Sequence, residues 1–326
     1  MMQRYAVAFG AGCAAAFLFA VSAEASPLAM ALAYLAPLPI MIATIGWGVD
    51  AGAIAAAASV TGLTLIAEPL SGMLYAASVA VPAWLIAAFA ATPVARYLPA
   101  RFSSLPQYPS IGAIVTLAAI VGMLGAAGVL TTVIVVYHGY AEGAQAVAQG
   151  IAAMAADAFD DAGDGAAAKA FADSMVRIGP AAIAGSTLLM LCINLYAAAR
   201  SVQLSHRLKR PWLDLPTSFR LPAALGGVMI VCVAATWALP APASQYVSIV
   251  AGGLGAAFAF QGLAVAHALS RGLKLRTLML VALYACCFVR AKYTLPVLAL
   301  LGVVDAFTRL RVRAAVLPTP RPNLQK

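Results

Sequence analysis

Charge is scarce in this chain. Only 10% of its 326 residues are Asp, Glu, Lys or Arg, against about a quarter in an ordinary soluble domain, so it cannot wrap a water-soluble core in a solvated shell. Acids are the scarcer sign, and none falls at the centre of an apolar run: Glu24, Asp50, Glu68 and Asp305 all stand at run edges. A proton- or voltage-driven mechanism therefore lacks the intramembrane charge it usually shows. The five cysteines (Cys13, Cys192, Cys232, Cys286 and Cys287) sit within apolar runs and have no metal-ligand spacing. They read as small packing or lipid-facing side chains. The sequence has no Gly-x-x-x-x-Gly-Lys-[Ser/Thr], so it encodes no ATP motor of that type, and it has neither His-Glu-x-x-His nor Gly-x-Ser-x-Gly. No catalytic residue set and no cofactor or metal site is expected, and the chain reads as non-enzymatic. The net charge of +9 would suit a nucleic-acid binder. The basic residues instead fall in short loops between apolar runs, which argues for membrane topology and against nucleic acid.

What the chain does have is hydrophobic length: 63% of its residues are apolar. Runs long enough to cross a bilayer lie at 6–23, 28–48, 51–67, 71–92, 111–136, 179–199, 221–240 and 246–269. The first also fits a secretory signal, with Arg4 before it and Ala23-Glu-Ala25 as a small-residue cleavage site, although it exceeds the 7–15 residues usual for a signal core. The last run, 277–307, is flanked by Arg271, Lys274 and Arg276 before it and Arg309, Arg311 and Arg313 after it. One crossing would put a basic cluster outside. Two short helices broken at Arg290-Ala-Lys292 put both inside, as the positive-inside tendency requires. The expectation is an all-α polytopic bundle of about ten spans, two of them short and C-terminal, with both termini cytoplasmic. On that map only Lys169, Arg177, Arg290 and Lys292 of the twenty Lys and Arg residues lie outside.

The transmembrane unit covers 1–307 and carries an external insert at 138–178. There Val147, Ile151 and Met154, and again Phe171, Met175 and Ile178, recur at helical spacing on either side of Asp160-Asp-Ala-Gly-Asp-Gly165. Two amphipathic helices lying across the outer mouth are expected. The basic loop 200–220, broken by Pro211 and Pro216, reads as a topology determinant and as the place where a cytoplasmic or membrane partner would touch. Residues 308–326 form a basic, Pro-rich tail of disordered composition. Gly10-Ala-Gly12-Cys-Ala-Ala15 matches a dinucleotide fingerprint in pattern only, since it is embedded in one apolar run without the strand that motif needs.

Proline marks the places where chemistry would gather. Pro37 and Pro39 stand in the middle of the second run and Pro82 in the middle of the fourth. A proline there removes a helix N–H and frees the carbonyls of Ala33, Leu35 and Ser78 in the hydrocarbon layer. Interrupted spans that meet at the midplane point to a transport-type binding site, and proline kinks that serve packing alone are the alternative. Tyr34, Thr44, Trp84, Asn194 and Gln261 are the polar or aromatic side chains that could face such a cavity. Asn194 and Gln261 would also serve as interhelical glue, because a carboxamide in hydrocarbon needs a partner. Asp305 and Arg309, four residues apart, form an expected ion pair at the inner edge.

Tyr34-Leu-Ala-Pro-Leu-Pro39, Gly46-Trp-Gly48, Glu68-Pro-Leu-Ser-Gly72, Pro82-Ala-Trp84 and the closing Gly302-Val-Val-Asp305 with Arg309-Leu-Arg311 resemble the YybS-like family. Its members are bacterial integral membrane proteins with a domain of no assigned function. The resemblance implies a multi-pass protein of the bacterial inner membrane. That family has been likened to substrate-binding subunits of energy-coupling-factor transporters, which dock a partner through an Ala-x-x-x-Ala face on the first helix; Ala11/Ala15 and Ala16/Ala20 match it here. Two functional readings follow. The first is a membrane component that binds or moves a small solute beside Tyr34, Pro37, Pro39, Pro82, Trp84, Asn194 and Gln261, with energy from elsewhere. The second is a non-catalytic scaffold for envelope assembly.

Overall fold

Two prolines one residue apart stop the second apolar run halfway. In the computed structural model, which describes residues 2–24, 26–67, 69–93, 107–159 and 165–311, that run is two helices. α1 (Met2–Ala20) precedes it. α2 (Pro27–Tyr34) then starts at a Ser26 N-cap whose hydroxyl accepts from Ala29 N–H at 3.1 Å, and ends before Leu35. α3 (Pro37–Trp47) resumes with Pro37 in its first turn, where a missing N–H is tolerated. α4 (Val49–Ile66) follows across Gly48, whose φ of +110° is accessible to glycine and strained for other residues.

The fourth run bends by a different device. α5 (Pro69–Tyr75) passes through a π turn at Ala76–Ala80 into α6 (Val81–Ala91), and Val81 N–H bonds back to Ala76 O in the wider register. Pro82 cannot donate to Ser78, and the π turn is the local adjustment that absorbs the mismatch. Both proline interruptions expected from the sequence are therefore real breaks in regular helix geometry.

The remaining helices are α7 (Ile111–Val136), α8 (Tyr140–Phe159), α9 (Gly165–Leu204), the single turn α10 (Leu215–Ser218), α11 (Ala223–Ala238), α12 (Ala243–Leu269), α13 (Arg276–Val289) and α14 (Ala291–Thr308). There is no strand among the described residues. Eight segments are long and apolar enough to cross a membrane, and α11 and α13 are shorter apolar helices. Among the described residues eight helices thus meet the length for crossing, and the two shorter ones lie where the remaining two of about ten expected spans fall. The last run does break at Arg290, although α14, at 18 residues, is longer than the short helix expected there.

The insert at 138–178 departs from expectation. Its second half does not lie across the mouth as a separate helix but continues into the sixth span, so α9 is one helix of 40 residues, about 60 Å at 1.5 Å per residue. Pro180 lies inside it, because one absent N–H interrupts a helix only locally when both flanks are strongly helical. α8 packs against α9 and, less extensively, α7. Met154, Asp157 and the break at 160–164 lie outside the residues whose side chains are described.

α9 and α12 form the centre. α9 packs on α3, α7, α8 and α12, while α12 packs on α7, α9, α11 and α14. Glycine permits the closest crossings. Gly262 and Gly302 face each other's helices so tightly that a Cβ on either would run into the backbone carbonyl of Leu298 or Phe258. Gly12, part of the dinucleotide look-alike, is such a contact too: a Cβ there would fall 2.6 Å from Ala55 O on α4. Of Gly122, Gly125 and Gly128, spaced three apart on α7, only Gly122 comes close to a neighbouring helix among the described residues.

Cross-links gather the expected inner loops at one end of the bundle. Arg4 pairs with Asp50 at 3.0 Å, Arg207 lies 4.7 Å over the Trp47 ring, Arg210 donates to Ala90 O and Pro109 O, and Arg271 pairs with Asp214 at 2.7 Å. At the opposite end Thr131 and Tyr246 share a hydrogen bond of 2.7 Å. Helix ends that an alternating ten-span path assigns to one side thus do meet on one side.

Candidate binding cavity

The broken second span is filled by protein. The carbonyls of Ala33 and Leu35, freed by Pro37 and Pro39, accept from Ala36 N–H at 3.1 Å and Leu38 N–H at 3.0 Å in tightened turns. The carbonyl left over is that of Tyr34, and Asn194 on α9 supplies its donor: Nδ2 reaches Tyr34 O at 2.8 Å and also Met190 O at 2.8 Å. Asn194 is 1% exposed, so its amide caps the end of α2 from across the bundle. Pro37 is buried and Pro39 half-buried. Pro82 is buried on α6, which packs on α3, and Trp84 Nε1 donates to Val49 O at 3.0 Å, bracing the α3–α4 corner. Thr44 is buried and bonds back to Ile40 O at 2.7 Å. Replacing Asn194 by Leu should cost about 1 kcal/mol, the scale measured for interhelical bonds in membranes. The loss is visible as a lowered unfolding temperature of the purified protein; a variant that melts like the wild type would show the amide to be dispensable.

Gln261 belongs elsewhere, in a buried network at the basic end. Its Oε1 accepts from Leu221 N–H at 2.7 Å, and its Nε2 donates to Asp305 Oδ2 at 2.9 Å and Gly302 O at 3.2 Å. Asp305 pairs with Arg311, not with Arg309. Arg309 takes a left-handed φ of +55°, which ends α14 and turns the chain back. Arg311 then donates through Nη2 to Asp305 Oδ2 at 2.7 Å and to Phe219 O at 2.7 Å, and through Nη1 to Pro216 O at 2.6 Å. Both side chains of this ion pair are buried. Residues 309–311, expected as the start of a loose tail, thus belong to the folded unit; 312–326 lie outside the described residues.

Of the seven side chains proposed for a solute site, Tyr34, Pro37, Pro39 and Asn194 come together at the break, Pro82 and Trp84 lie on the neighbouring α6, and Gln261 is separate. None of them lines the cavity that the structure contains. That cavity, about 650 Å³, lies under the loop 208–216, within the ~300–1,000 Å³ of small-molecule sites. Its lining is mostly apolar, with Ile45, Ile114, Val115, Cys192, Leu195, Phe260 and Leu263, and it also includes Tyr196, Lys209, Arg210, Trp212, His267 and Tyr284.

Local sequence explains how the walls and the roof are held. Pro211 and Pro216 keep the segment between α9 and α11 from forming one helix, so it crosses the bundle end as an extended strap with one helical turn. Bonds fasten the strap at intervals. Arg210 Nη2 donates to Pro109 O at 2.8 Å and Nη1 to Ala90 O at 3.3 Å. Asp214 takes two bonds from Arg271 Nη2, at 2.7 and 2.8 Å. Arg311 holds the carbonyls of Pro216 and Phe219. The Arg271 guanidinium beside Asp214 holds its carboxyl below the usual range, and partial burial lowers the Arg210 pKa. In the wall, His267 Nδ1 lies 3.0 Å from Leu263 O and Nε2 3.3 Å from the Tyr284 hydroxyl. The carbonyl fixes the proton on Nδ1, which leaves Nε2 to accept from Tyr284. Trp212 sits 5.7 Å from the Tyr196 ring and 5.5 Å from the Arg200 guanidinium. The signal for this site was the cluster of Tyr196, Trp212, His267 and Tyr284 near the basic ends of their segments, each of which reads singly as a belt residue.

A bundle of apolar helices with its basic loops at one end defines a polytopic α-helical integral membrane protein in contact with the lipid bilayer. Within that class the chain belongs to the family described as "Predicted membrane protein (DUF2232)", whose model matches residues 13–306. This bears out the resemblance to a family of uncharacterised membrane proteins. No curated protein and no solved structure matches the chain. The likeness to energy-coupling-factor subunits finds no support: Ala15 and Ala16 are buried in a helix that packs on α4 of the same chain and are not free to dock a partner.

Proposed function

We propose that this protein is a non-catalytic membrane component that binds a small, largely apolar molecule in the cavity beneath the loop 208–216. The observation that carries the reading is the combination of that cavity's apolar wall with a fastened polar roof, where the proline breaks are closed by protein groups. Transport of the ligand would draw its energy from a separate partner, since no nucleotide motif is encoded.

A thermal-shift screen of the purified protein against apolar metabolites and lipids tests it. A stabilising ligand is expected, and Cys192→Trp, which fills the cavity, should abolish the shift. Asn194→Leu should lower the starting melting temperature yet keep the ligand-induced increment. The opposite result, a shift lost in Asn194→Leu and kept in Cys192→Trp, would move the site back to the proline breaks. The scaffold reading draws on the exposed Leu204, Leu213 and Leu215 beside the basic residues of the loop. Affinity capture that returned envelope-assembly proteins through this loop, unchanged by Cys192→Trp, would favour it.

A further inference from the structure

The depth of the cavity, the charge around it and the side on which it opens narrow the ligand further. The helix residues that line it lie close to the basic ends of their helices: Cys192 to Ala199 near the end of α9, Phe260 to His267 near the end of α12, and Ile111 to Val115 at the start of α7. At 1.5 Å per residue the lining reaches about 14 Å in from the end of α12 and about 18 Å in from the end of α9, so the cavity extends from the headgroup level into one leaflet.

The charge at this end is unbalanced. The acids assigned to it are Asp50, Asp214 and Asp305, and each is already paired, with Arg4, Arg271 and Arg311 respectively. The sequence places no other acid in the loops on that side. In the cavity lining Arg210 bonds to the neutral carbonyls of Ala90 and Pro109 and lies 6.0 Å from the Tyr108 ring, and neither it nor Lys209 has an ion-pair partner among the described residues. Two bases in the lining of an apolar hollow thus lack a counter-anion among the described residues.

Several lining side chains also face sideways, out of the bundle. Ile193 and Tyr196 on α9 are each 50% exposed and Tyr284 on α13 is 48% exposed, and no residue of α13 is buried. On helices that cross a bilayer such apolar exposure is lipid-facing, and the Tyr196–Trp212 ring contact sits where amphipathic aromatics favour the interface.

Building on the cavity reading above, we infer that the ligand is a lipid with an anionic phosphate head. Its head lies against Lys209 and Arg210 under the loop. Its chain enters between α9 and α13 and lies along Cys192, Phe260 and Leu263. Arg210, held by two carbonyls, is the fixed element, and Lys209 is the exposed one.

The test uses the full-length protein in lipid nanodiscs, with native mass spectrometry reading retained phosphatidylglycerol against phosphatidylcholine, and soluble glycerol phosphate as competitor. The wild type should retain phosphatidylglycerol in preference, and Lys209→Gln should weaken it about fivefold, the effect of one base near an anionic headgroup, without changing phosphatidylcholine. Cys192→Trp, or the milder filler Ala264→Leu, should release both lipids. Equal retention of the two lipids by the wild type, or no effect of Lys209→Gln, would overturn the headgroup inference and leave the cavity reading standing if the fillers still release lipid. Displacement by glycerol phosphate alone would also overturn it, in favour of a soluble phosphate. Retention unchanged by both fillers would mean general surface contact and would overturn both readings.

Discussion

Asp305→Leu is expected to cost the protein about 3–5 kcal/mol, the scale for removing one partner from a buried ion pair. The reason lies in what remains. Arg311 would keep its charge in a site where both side chains are buried, and Gln261 Nε2 would lose its acceptor at 2.9 Å. Arg311→Met should cost a similar amount, because it also leaves the carbonyls of Pro216 and Phe219 without their donor. The double variant Asp305→Leu/Arg311→Met should cost less than the sum of the two, since no unpaired charge remains. Unfolding in denaturant, or the yield of monodisperse protein where a variant fails to accumulate, measures this. Additive single effects would show that the pair is not coupled. Arg309→Gln, by contrast, should change stability by a few tenths of a kcal/mol at most, since Arg309 makes no ion pair among the described residues.

The contrast between Arg309 and Arg311 marks a limit of reading the sequence. Spacing of four residues pairs Asp305 with Arg309 on a continuing helix. Which base reaches the acid depends on where α14 stops, and a left-handed residue just past the helix end is decided by the tertiary contacts that Arg311 makes afterwards. Hydropathy and proline act locally, so the spans, the break at 35–36 and the bend before Pro82 could be expected from composition and position. The groups that satisfy those breaks are distant in sequence. Asn194 reaches Tyr34 across 160 positions, and residue type told only that each needed a partner. A proline such as Pro180 reads as a helix start in sequence, while the Ala-rich flanks carry α9 through it. The cavity has only a diffuse signal in the sequence, aromatic and histidine side chains near the basic ends of separate segments. Its walls come from several spans and a loop, and each lining residue is ordinary by itself.

Gly302→Val should be among the most damaging single additions to the bundle. The position meets the Phe258 carbonyl and Gly262 of α12 with no room for a Cβ, so any side chain forces α14 off α12. Overpacking costs about 1–3 kcal/mol where neighbours can shift, and backbone cannot shift as a side-chain tip does; a loss at or above the top of that range is expected. Because α14 carries Asp305, the displacement should also undo the Gln261–Asp305–Arg311 network. Gly255→Ala, on the same α12 but facing open space, is the control and should be neutral. A thermal melt of the two variants side by side checks this, and a Gly302→Val protein as stable as the control would mean that the crossing is looser than it looks.

The strap over the cavity is tied down at Arg210, Asp214, Pro216, Phe219 and Leu221, so it is no hinged door to the aqueous side. On the proposed reading a guest would enter sideways, by diffusion within the sheet of lipid. Its occupancy would then follow the mole fraction of the guest in that sheet, and dilution of the surrounding buffer would leave it untouched.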